Sequence, residues 1–193
     1  MRRVVLHPSV FVIEGFLTGE ECAAEIARAE AVGFAAAPVT TLEGTVMMPD
    51  IRNNTRVMID DPGRAAELWE RARTALPGEW GGWRGVGLNE RLRYYRYDPG
   101  QQFAAHTDGR FTRSATEHSR LTFMVYLNGG CAGGDTVFWL EADPNGPPDL
   151  RVTPETGKAL VFEHLVLHEG APLVAGRKYV LRTDVMFAAP AAR

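Results

Sequence analysis

Short apolar or β-branched runs alternate with Gly, Pro, Asn and Asp along the second half of the chain. Runs of this kind, bounded by turn residues, indicate β-strands. Many short strands separated by turns are typical of a β-sandwich or barrel. The predicted strands of this half cover residues 92–97, 121–127, 136–140, 150–152, 159–162, 165–167 and 179–187.

The first half of the chain carries the patterns of two helices. Thr18 and Glu21 have the spacing of a capping box, which predicts a helix that begins there. Asp61 and Pro62 suit the N-cap and first position of a second helix, which a Pro-Gly pair ends at residues 77–78. Two short strands are also predicted, at residues 10–16 and 57–59.

The predicted fold is mainly β with α. We expect a jelly roll (a cupin-like, double-stranded β-helix barrel) flanked by N-terminal helices. A length of 193 residues is enough for one domain with its own core. We therefore predict a single domain over residues 1–193, with residues 1–87 as a helical support region and residues 88–188 as the jelly-roll core.

Charge and composition narrow the expected partners. A net charge of −3 gives no polybasic footprint, so neither nucleic acid nor an anionic membrane is expected to bind. Two cysteines, Cys22 and Cys131, without a CxxC pair suit a reducing compartment. The apolar run at the N-terminus is interrupted by His7, Pro8 and Glu14, which is unlike a signal peptide. We expect a soluble, cytoplasmic protein.

The strongest indication of chemistry lies in the stretch LRYYRYDPGQQFAAHTD, residues 92–108. His106 and Asp108 are two residues apart in a predicted extended segment, so their side chains point the same way and can share one divalent metal. Two protein ligands hold a catalytic metal poorly. His168, beside a later predicted strand, is our candidate for the third ligand.

The other histidines suit a metal less well. His7 precedes a proline and His118 lies in a polar segment, so both are interpreted as surface residues. His164 and His168 have the i, i+4 spacing of a helical zinc site, but the residues between them are strand-like and no HExxH glutamate is present. We interpret His164 as a buried, hydrogen-bonded or pocket-lining residue.

Two imidazoles and one carboxylate leave three positions of a metal open, as in non-heme Fe(II) oxygenases. A saturated four-ligand zinc site leaves none. Lys178 follows His168 by ten residues, on a predicted strand whose alternation points it inward. A lysine is costly to bury without a partner, and the dianion 2-oxoglutarate would provide one.

Three segments carry a family resemblance: RYDPGQQFAAHTD, RLTFMVYLNGGCAGGDTVFW and HEGAPLVAGRKYVLRTDVMF. Their order is HxD, then YLN, then GG-acid-T-x-F, then His with a basic residue ten positions later. This order resembles the prolyl 4-hydroxylase-like branch of the Fe(II)/2-oxoglutarate-dependent dioxygenases. The resemblance covers about half of the chain, and it implies that His106, Asp108 and His168 bind the catalytic iron. It further implies that Lys178 pairs with the distal carboxylate of 2-oxoglutarate.

The resemblance also implies roles for two tyrosines. The hydroxyl of Tyr126 would reach the same carboxylate, and Tyr97 would line the cosubstrate pocket. Each has another interpretation: Tyr97 as a core aromatic, and Tyr126 as a residue of the barrel interior. Arg177 is an alternative to Lys178, because some oxygenases place their basic residue nine positions after the histidine, although the strand alternation favours Lys178.

The implied reaction hydroxylates an unactivated C–H bond and converts 2-oxoglutarate and O₂ to succinate and CO₂, with ascorbate as an accessory reductant. Related halogenases lack the carboxylate of Asp108, so its presence favours hydroxylation. A small molecule, an amino acid and a peptidyl residue all stay open as substrate.

Loops at residues 51–56 and 109–120 are expected to flank the pocket, where Arg56 and Arg110 either meet a substrate carboxylate or are solvated. Two other hypotheses stay open. One is a cupin-type dioxygenase or isomerase that does not use 2-oxoglutarate, and the other is a non-catalytic binding module.

Overall fold

A large and a small β-sheet face each other across a buried core, and two helices pack on the other face of the large sheet. The computed structural model describes residues 1–41, 44–141 and 143–190. The helices are α1 (Gly19–Val32) and α2 (Pro62–Ala72). The strands are β1 (Arg2–His7), β2 (Val10–Glu14), β3 (Ala35–Ala36), β4 (Val39–Thr41), β5 (Gly44–Val46), β6 (Thr55–Asp60), β7 (Glu79–Trp80), β8 (Trp83–Leu88), β9 (Arg91–Tyr97), β10 (Phe103–His106), β11 (Thr112–Ser114), β12 (Glu117–Tyr126), β13 (Ala132–Gly133), β14 (Thr136–Trp139), β15 (Leu150–Val152), β16 (Ala159–Glu163), β17 (Leu167–Gly170), β18 (Leu173–Ala175) and β19 (Lys178–Ala188).

The large sheet has the strand order β1-β2-β16-β12-β19-β9-β6-β3, with β8 also paired to β19. The small sheet has the order β10-β17-β14-β15. The pairs within both sheets are antiparallel. Strands distant in sequence thus lie side by side, as the predicted mainly β, double-stranded β-helix fold requires, and that prediction is confirmed.

Strand alternation divides the large sheet into two functional faces. In β12, Leu121 and Phe123 belong to the core beneath the helices. Thr122 lies between these two residues and Met124 follows them, and both point toward the small sheet. Because successive residues of a strand point to opposite faces, one strand serves both the helix-side core and the space between the sheets.

Both helices begin where the sequence predicts. Thr18 Oγ1 accepts from the Glu21 backbone N–H at 3.2 Å, while Glu21 Oε2 accepts from the Thr18 backbone N–H at 2.8 Å, which completes the capping box of α1. The Asp61 side chain caps α2 by accepting from the Arg64 backbone N–H at 2.8 Å. The second helix ends at Ala72, so the predicted end at residues 77–78 is wrong.

The predicted strands of the second half are present, with one shifted boundary. Residues 165–167 were predicted as a strand, whereas β17 begins at Leu167 and continues to Gly170. His168 therefore lies inside a strand of the small sheet instead of following one. The shift matters because the strand pairing fixes where this histidine points.

The region before residue 88, expected to be a helical support, also supplies strands to the large sheet. Strand β2 pairs with β16, and β6 pairs with β9. Strand β1 was not predicted, because its side chains are mostly exposed at the sheet edge and give no apolar alternation. Neither helix of the described residues is long and apolar enough to cross a lipid bilayer.

Candidate active site

Strand pairing brings the three predicted metal ligands together. His106 ends β10 and lies directly opposite His168 of β17 in the antiparallel register. Asp108 follows two residues later, and one ligand atom from each residue lies within 4.8 Å of the others. The Nε2 atoms of His106 and His168 are 3.8 and 3.7 Å from the Asp108 carboxylate oxygens.

The protonation of both histidines suits a metal. His106 Nδ1 lies 2.8 Å from the Ala104 carbonyl oxygen, and His168 Nδ1 lies 2.9 Å from that of Val166. A carbonyl only accepts, so each Nδ1 carries the hydrogen and each Nε2 keeps a free lone pair. Burial lowers the pKa of His106 to about 3, and it lowers the pKa of His168 as well. Both rings are therefore neutral near pH 7, as metal ligands must be.

The carboxylate of Asp108 is held ionised in a buried position. Burial alone would raise its pKa, but Arg182 and the two histidines outweigh that effect and hold the pKa well below its usual range. Arg182 Nη2 lies 3.1 Å from Oδ2, and Thr122 Oγ1 donates to the same oxygen at 2.5 Å. Two neutral imidazole nitrogens and one carboxylate oxygen form a donor set that fits Fe(II).

His164 supports the Asp108 carboxylate indirectly, through Thr122. The single hydroxyl hydrogen of Thr122 is used toward Asp108, so His164 Nδ1–H must donate to Thr122 Oγ1, at 3.0 Å. His164 Nε2 then accepts from Ser119 Oγ at 2.8 Å. The interpretation of His164 as a buried, hydrogen-bonded histidine is confirmed. Its chain of hydrogen bonds fixes the orientation of the carboxylate.

Lys178 points into the inner cavity, the cavity that contains the three predicted ligands. Its side chain is only 2% exposed, and Nζ donates to the Gly134 carbonyl oxygen at 2.5 Å. Within residues 1–41, 44–141 and 143–190, no carboxylate forms a salt bridge with it. Burial lowers the pKa of the ammonium to about 8. A buried cation with spare donors beside a cavity suits an anionic ligand.

The neighbouring basic residue is placed differently. Arg177 is half exposed and pairs with Asp98, its Nε lying 2.6 Å from Oδ1. The alternation of β19 thus turns Lys178 inward and Arg177 outward, as the sequence favoured. The Gly134 position is also constrained: its φ is +74°, and an added Cβ would lie 2.9 Å from Leu173 Cδ1 and 3.2 Å from Lys178 Cδ. The glycine pair of the GG-acid motif therefore leaves room for the lysine.

The two tyrosines differ in their access to the inner cavity. Tyr97 lines it, and its ring lies 4.7 Å from Lys178 Nζ. Tyr126 is fully buried, and its hydroxyl donates to Thr136 Oγ1 at 2.7 Å. Thr136 in turn lines the cavity. Sequence reasoning missed Thr136, although it is the threonine of the GG-acid-T-x-F segment that carried the resemblance.

The prediction for His118 is wrong. The residue was interpreted as solvated, but it is buried and its ring lies 4.1 Å from that of Trp83. The polar segment around it is the beginning of β12, which pairs with β19. His7, by contrast, is half-buried near the terminus, and its Nδ1 accepts from the Ser9 backbone N–H at 3.2 Å.

A second cavity opens beside the predicted ligands and shares His106 and Asp108 with the inner one. Arg56 and Arg110 line it, as expected of residues that flank the pocket, although Arg56 lies in strand β6 and not in the predicted loop. We call it the arginine cavity, because three further arginines line it: Arg52, Arg93 and Arg182.

Comparisons with known proteins agree with this geometry. Residues 92–183 match the 2OG-Fe(II) oxygenase superfamily. Prolyl 4-hydroxylase 2 of Arabidopsis thaliana is 29% identical over 213 residues, an alignment that covers 93% of this chain and 67% of the relative. The probable prolyl 4-hydroxylase 4 of the same plant is 27% identical, with the same coverage. The chain thus spans about two thirds of the length of these relatives.

Solved structures share the fold. The viral collagen prolyl hydroxylase of Paramecium Bursaria Chlorella virus-1 superposes with a TM-score of 0.64 at 22% identity, covering 94% of this chain and 97% of that one. A prolyl hydroxylase from Trichoplax adhaerens, in complex with a hypoxia inducible factor oxygen degradation domain peptide fragment, has a TM-score of 0.67 at 18% identity. That superposition covers 92% of this chain and 83% of the neighbour.

The match over residues 92–183, the similarity to prolyl 4-hydroxylases and the converging His-Asp-His group together support a 2-oxoglutarate-dependent dioxygenase that uses Fe(II). The similarity to prolyl 4-hydroxylases in sequence, together with the shared fold, supports a prolyl 4-hydroxylase-like oxygenase. These similarities favour a 2-oxoglutarate-dependent enzyme over a cupin-type enzyme without 2-oxoglutarate and over a non-catalytic module.

Proposed function

We propose that the protein hydroxylates an unactivated C–H bond of an organic substrate while 2-oxoglutarate and O₂ are converted to succinate and CO₂. His106, Asp108 and His168 would hold Fe(II) at the mouth of the inner cavity. Lys178 would bind the distal carboxylate of 2-oxoglutarate. When bound, the iron and the cosubstrate supply the chemistry of O₂ activation, which protein side chains cannot provide.

One observation carries this proposal: a buried ammonium, without a carboxylate partner among the described residues, lines the same cavity as the three predicted metal ligands. Because Lys178 and the predicted ligands line the same inner cavity, a dicarboxylate would meet both the metal and the ammonium there. Thr136 and the ring of Tyr97 complete the wall around the ammonium. Tyr126 would act through Thr136, by fixing the orientation of its hydroxyl.

The remaining contacts around the site hold it rigid and exclude water. Thr122 and Arg182 fix the Asp108 carboxylate, and the backbone carbonyls fix both imidazoles. Such supporting contacts orient metal ligands and tune their basicity. Strands β2 and β6, from the N-terminal region, lie in the same sheet as β19, which supports the expectation of one domain over residues 1–193.

A prolyl residue is the substrate class that the relatives favour. The names of the similar proteins specify prolyl hydroxylases, and one neighbour was solved with a peptide fragment. Hydroxylation of a peptidyl proline is therefore the first activity to test, followed by free amino acids and other small molecules. Ascorbate is included as accessory reductant.

The test measures succinate from enzyme reconstituted with Fe(II), 2-oxoglutarate and ascorbate, with and without proline-containing peptides. We expect release to require both the metal and 2-oxoglutarate. Lys178→Met should raise the KM for 2-oxoglutarate by about tenfold or more, since hydrogen bonds to charged groups contribute about 1.5–3 kcal/mol. Arg177→Gln, which removes the adjacent outward-facing cation, is the matched control and should leave that KM unchanged.

Two results would contradict the proposed function. If iron-loaded protein releases no succinate under any of these conditions, the proposed reaction is wrong. If Arg177→Gln instead of Lys178→Met raises the KM, the cosubstrate binds elsewhere.

A further inference from the structure

The arginine cavity has a volume of about 330 Å³ and opens against the predicted metal ligands. Its lining includes five arginines and one carboxylate, that of Asp108. A space of this size can hold a molecule about as large as an amino acid or a short peptide segment. A substrate that lay in this cavity, beside the predicted metal ligands, would therefore be surrounded by an excess of positive charge.

Two of the five arginines have anionic partners inside the protein. Arg93 Nη1 lies 3.1 Å from Asp184 Oδ2, and Arg182 contacts both Asp108 and Asp184. Among the residues that the structure describes, no carboxylate forms a salt bridge with Arg52, Arg56 or Arg110. Elsewhere in the described part of the chain, Arg3, Arg84, Arg120 and Arg151 also form no salt bridge. The arginines with carboxylate partners include Arg2, Arg28, Arg64, Arg71, Arg73, Arg91, Arg96, Arg113 and Arg177.

Arg52 is held rigidly at the wall of this cavity. It is 4% exposed, and its guanidinium carbon lies 4.2 Å from the ring centroid of Phe103 and 4.7 Å from that of Tyr95. Its Nε donates to Asn54 Oδ1 at 2.8 Å, while its Nη2 is buried without a hydrogen-bond partner. A buried donor left unpaired costs free energy, so an acceptor group of a ligand that reached this nitrogen would recover that cost. Unpaired nitrogens of this kind also occur in Arg96, Arg120 and Arg182.

Arg56 adds a second, half-buried cation. Burial lowers the pKa of its guanidinium, and the nearby Arg52 and Arg93 lower it further. The charges of these arginines repel one another across the cavity. An anion bound between them would relieve that repulsion and satisfy the free donor of Arg52.

We propose that the primary substrate carries a carboxylate and that Arg52 and Arg56 bind it in the arginine cavity. The inference rests on the proposed function, and it adds a second anion site to the one that Lys178 provides for the cosubstrate. Binding of the carboxylate places the rest of the substrate toward His106 and Asp108, where the C–H bond is oxidised. The carboxylate belongs either to a free acid or to an acidic side chain beside the target residue of a peptide.

Paired probes distinguish these two sources. One arm uses the twenty free L-amino acids against their carboxamides. The other uses proline-containing peptides with blocked termini that differ only by glutamate or glutamine next to the proline. The readout is succinate released by the Fe(II) and 2-oxoglutarate holoenzyme above its substrate-free rate. In the arm that contains the substrate, we expect the acid to exceed its amide in kcat/KM by about ten- to a hundredfold, as for a hydrogen-bonded charge.

Variants assign the preference to the arginines. Arg56→Gln should bring the kcat/KM of the acid down toward that of the amide, mainly through KM, and Arg56→Lys should restore part of it because the charge remains but the paired donors are lost. Arg52→Gln should act in the same direction. Arg2→Gln, on an exposed arginine of the edge strand β1, is the control and should leave the preference intact. If Arg52→Gln lowers the melting temperature, the half-buried Arg56 alone decides the test.

Three outcomes would overturn the inference: amides that stimulate as well as acids, an acid preference that survives Arg56→Gln, or no stimulation in either arm while substrate-free release of succinate persists. Absence of succinate release under every condition would instead contradict the proposed function. The two failures are therefore distinguishable.

Discussion

The two faces of the large sheet differ in whether all of their buried charged side chains form salt bridges. On the helix side, the buried carboxylate of Glu25 accepts from Arg64 Nε at 2.6 Å and from the hydroxyl of Tyr94 at 2.6 Å. On the face toward the small sheet, Lys178 and Arg52 are equally buried but have no carboxylate partner among the described residues. On the helix side, the partners of the buried charge of Glu25 belong to the protein. On the other face, Lys178 and Arg52 keep hydrogen-bond donors for which a ligand would be the partner.

This difference is built from the same strands. In β19, Leu181 and Val185 belong to the helix-side core, while Lys178 and Arg182 line the inner cavity. An unpaired buried charge lowers the stability of a protein. The unpaired buried charges of Lys178 and Arg52 therefore indicate a functional role for the face toward the small sheet. We expect variants on the helix side to change mainly stability, and variants on the other face to change mainly activity.

The largest expected effect is loss of the metal on the cavity face. His168→Ala removes one of the three predicted ligands, so iron content after anaerobic reconstitution should fall to background. Succinate release should fall by more than about a hundredfold, because even the loss of a residue that only supports a ligand costs about ten- to a hundredfold. Metal analysis and the melting temperature of the metal-free protein check this. Retention of one iron per chain would contradict the assigned ligands.

The corresponding test on the helix side is the substitution Phe123→Ala, which removes a buried side chain from the core. Phe123 is buried and its ring meets that of Phe16 edge-on at 5.1 Å. We expect a loss of about 3–5 kcal/mol in the free energy of unfolding, the usual cost of deleting a buried phenylalanine. Urea denaturation measures it. The folded fraction should still bind metal with normal stoichiometry; loss of the metal without loss of stability would reverse the roles of the faces.

A smaller effect follows from the pKa of Lys178. Its value of about 8 in the folded protein lies below the 10.5 of the unfolded chain. The unfolded state therefore binds more protons between pH 8 and 10.5, and stability rises with pH across that window. Relative to Lys178→Met, metal-free wild type should gain about 1–3 kcal/mol in the free energy of unfolding from pH 7.5 to 10.5. A flat difference curve would show that the ammonium has a partner.

The smallest effect concerns Glu21 on the helix side, which caps α1 and pairs with Arg71 at 2.6 Å. The hydrogen bond from Arg71 lowers the pKa of Glu21 from 4.5 to about 2. Glu21→Gln keeps the capping pattern and removes the charge, so we expect a loss of about 1 kcal/mol at pH 7.

Because the folded pKa is depressed, the contribution of Glu21 is present above pH 4.5 and is lost as the pH falls toward 2. The difference between wild type and Glu21→Gln should shrink over that range in thermal unfolding. Glu20→Gln, at the neighbouring exposed position, is the control and should show a smaller difference at every pH.

The sequence predicts local structure well, but it predicts which residues are neighbours in space only in part. The capping box of α1, the N-cap of α2, the strand alternation and the inward direction of Lys178 all follow from spacing along the sequence. The strand of His168 was misplaced by two residues, because the apolar run at residues 165–167 looked more strand-like than the pairing segment itself. His118 was misjudged because polar neighbours can begin a buried strand when a partner strand covers them.

Sequence alone determined the β-rich fold, both helix starts and the residue types of the candidate metal site, because these depend on periods of two and 3.6 residues and on short motifs. Only the tertiary structure decided that Thr136 stands between Tyr126 and the inner cavity. It also decided that Arg52 and Arg56 line one cavity without a salt bridge to a carboxylate among the described residues. These relations join residues far apart in the chain, and strand register and burial, which set them, carry no signature in local spacing.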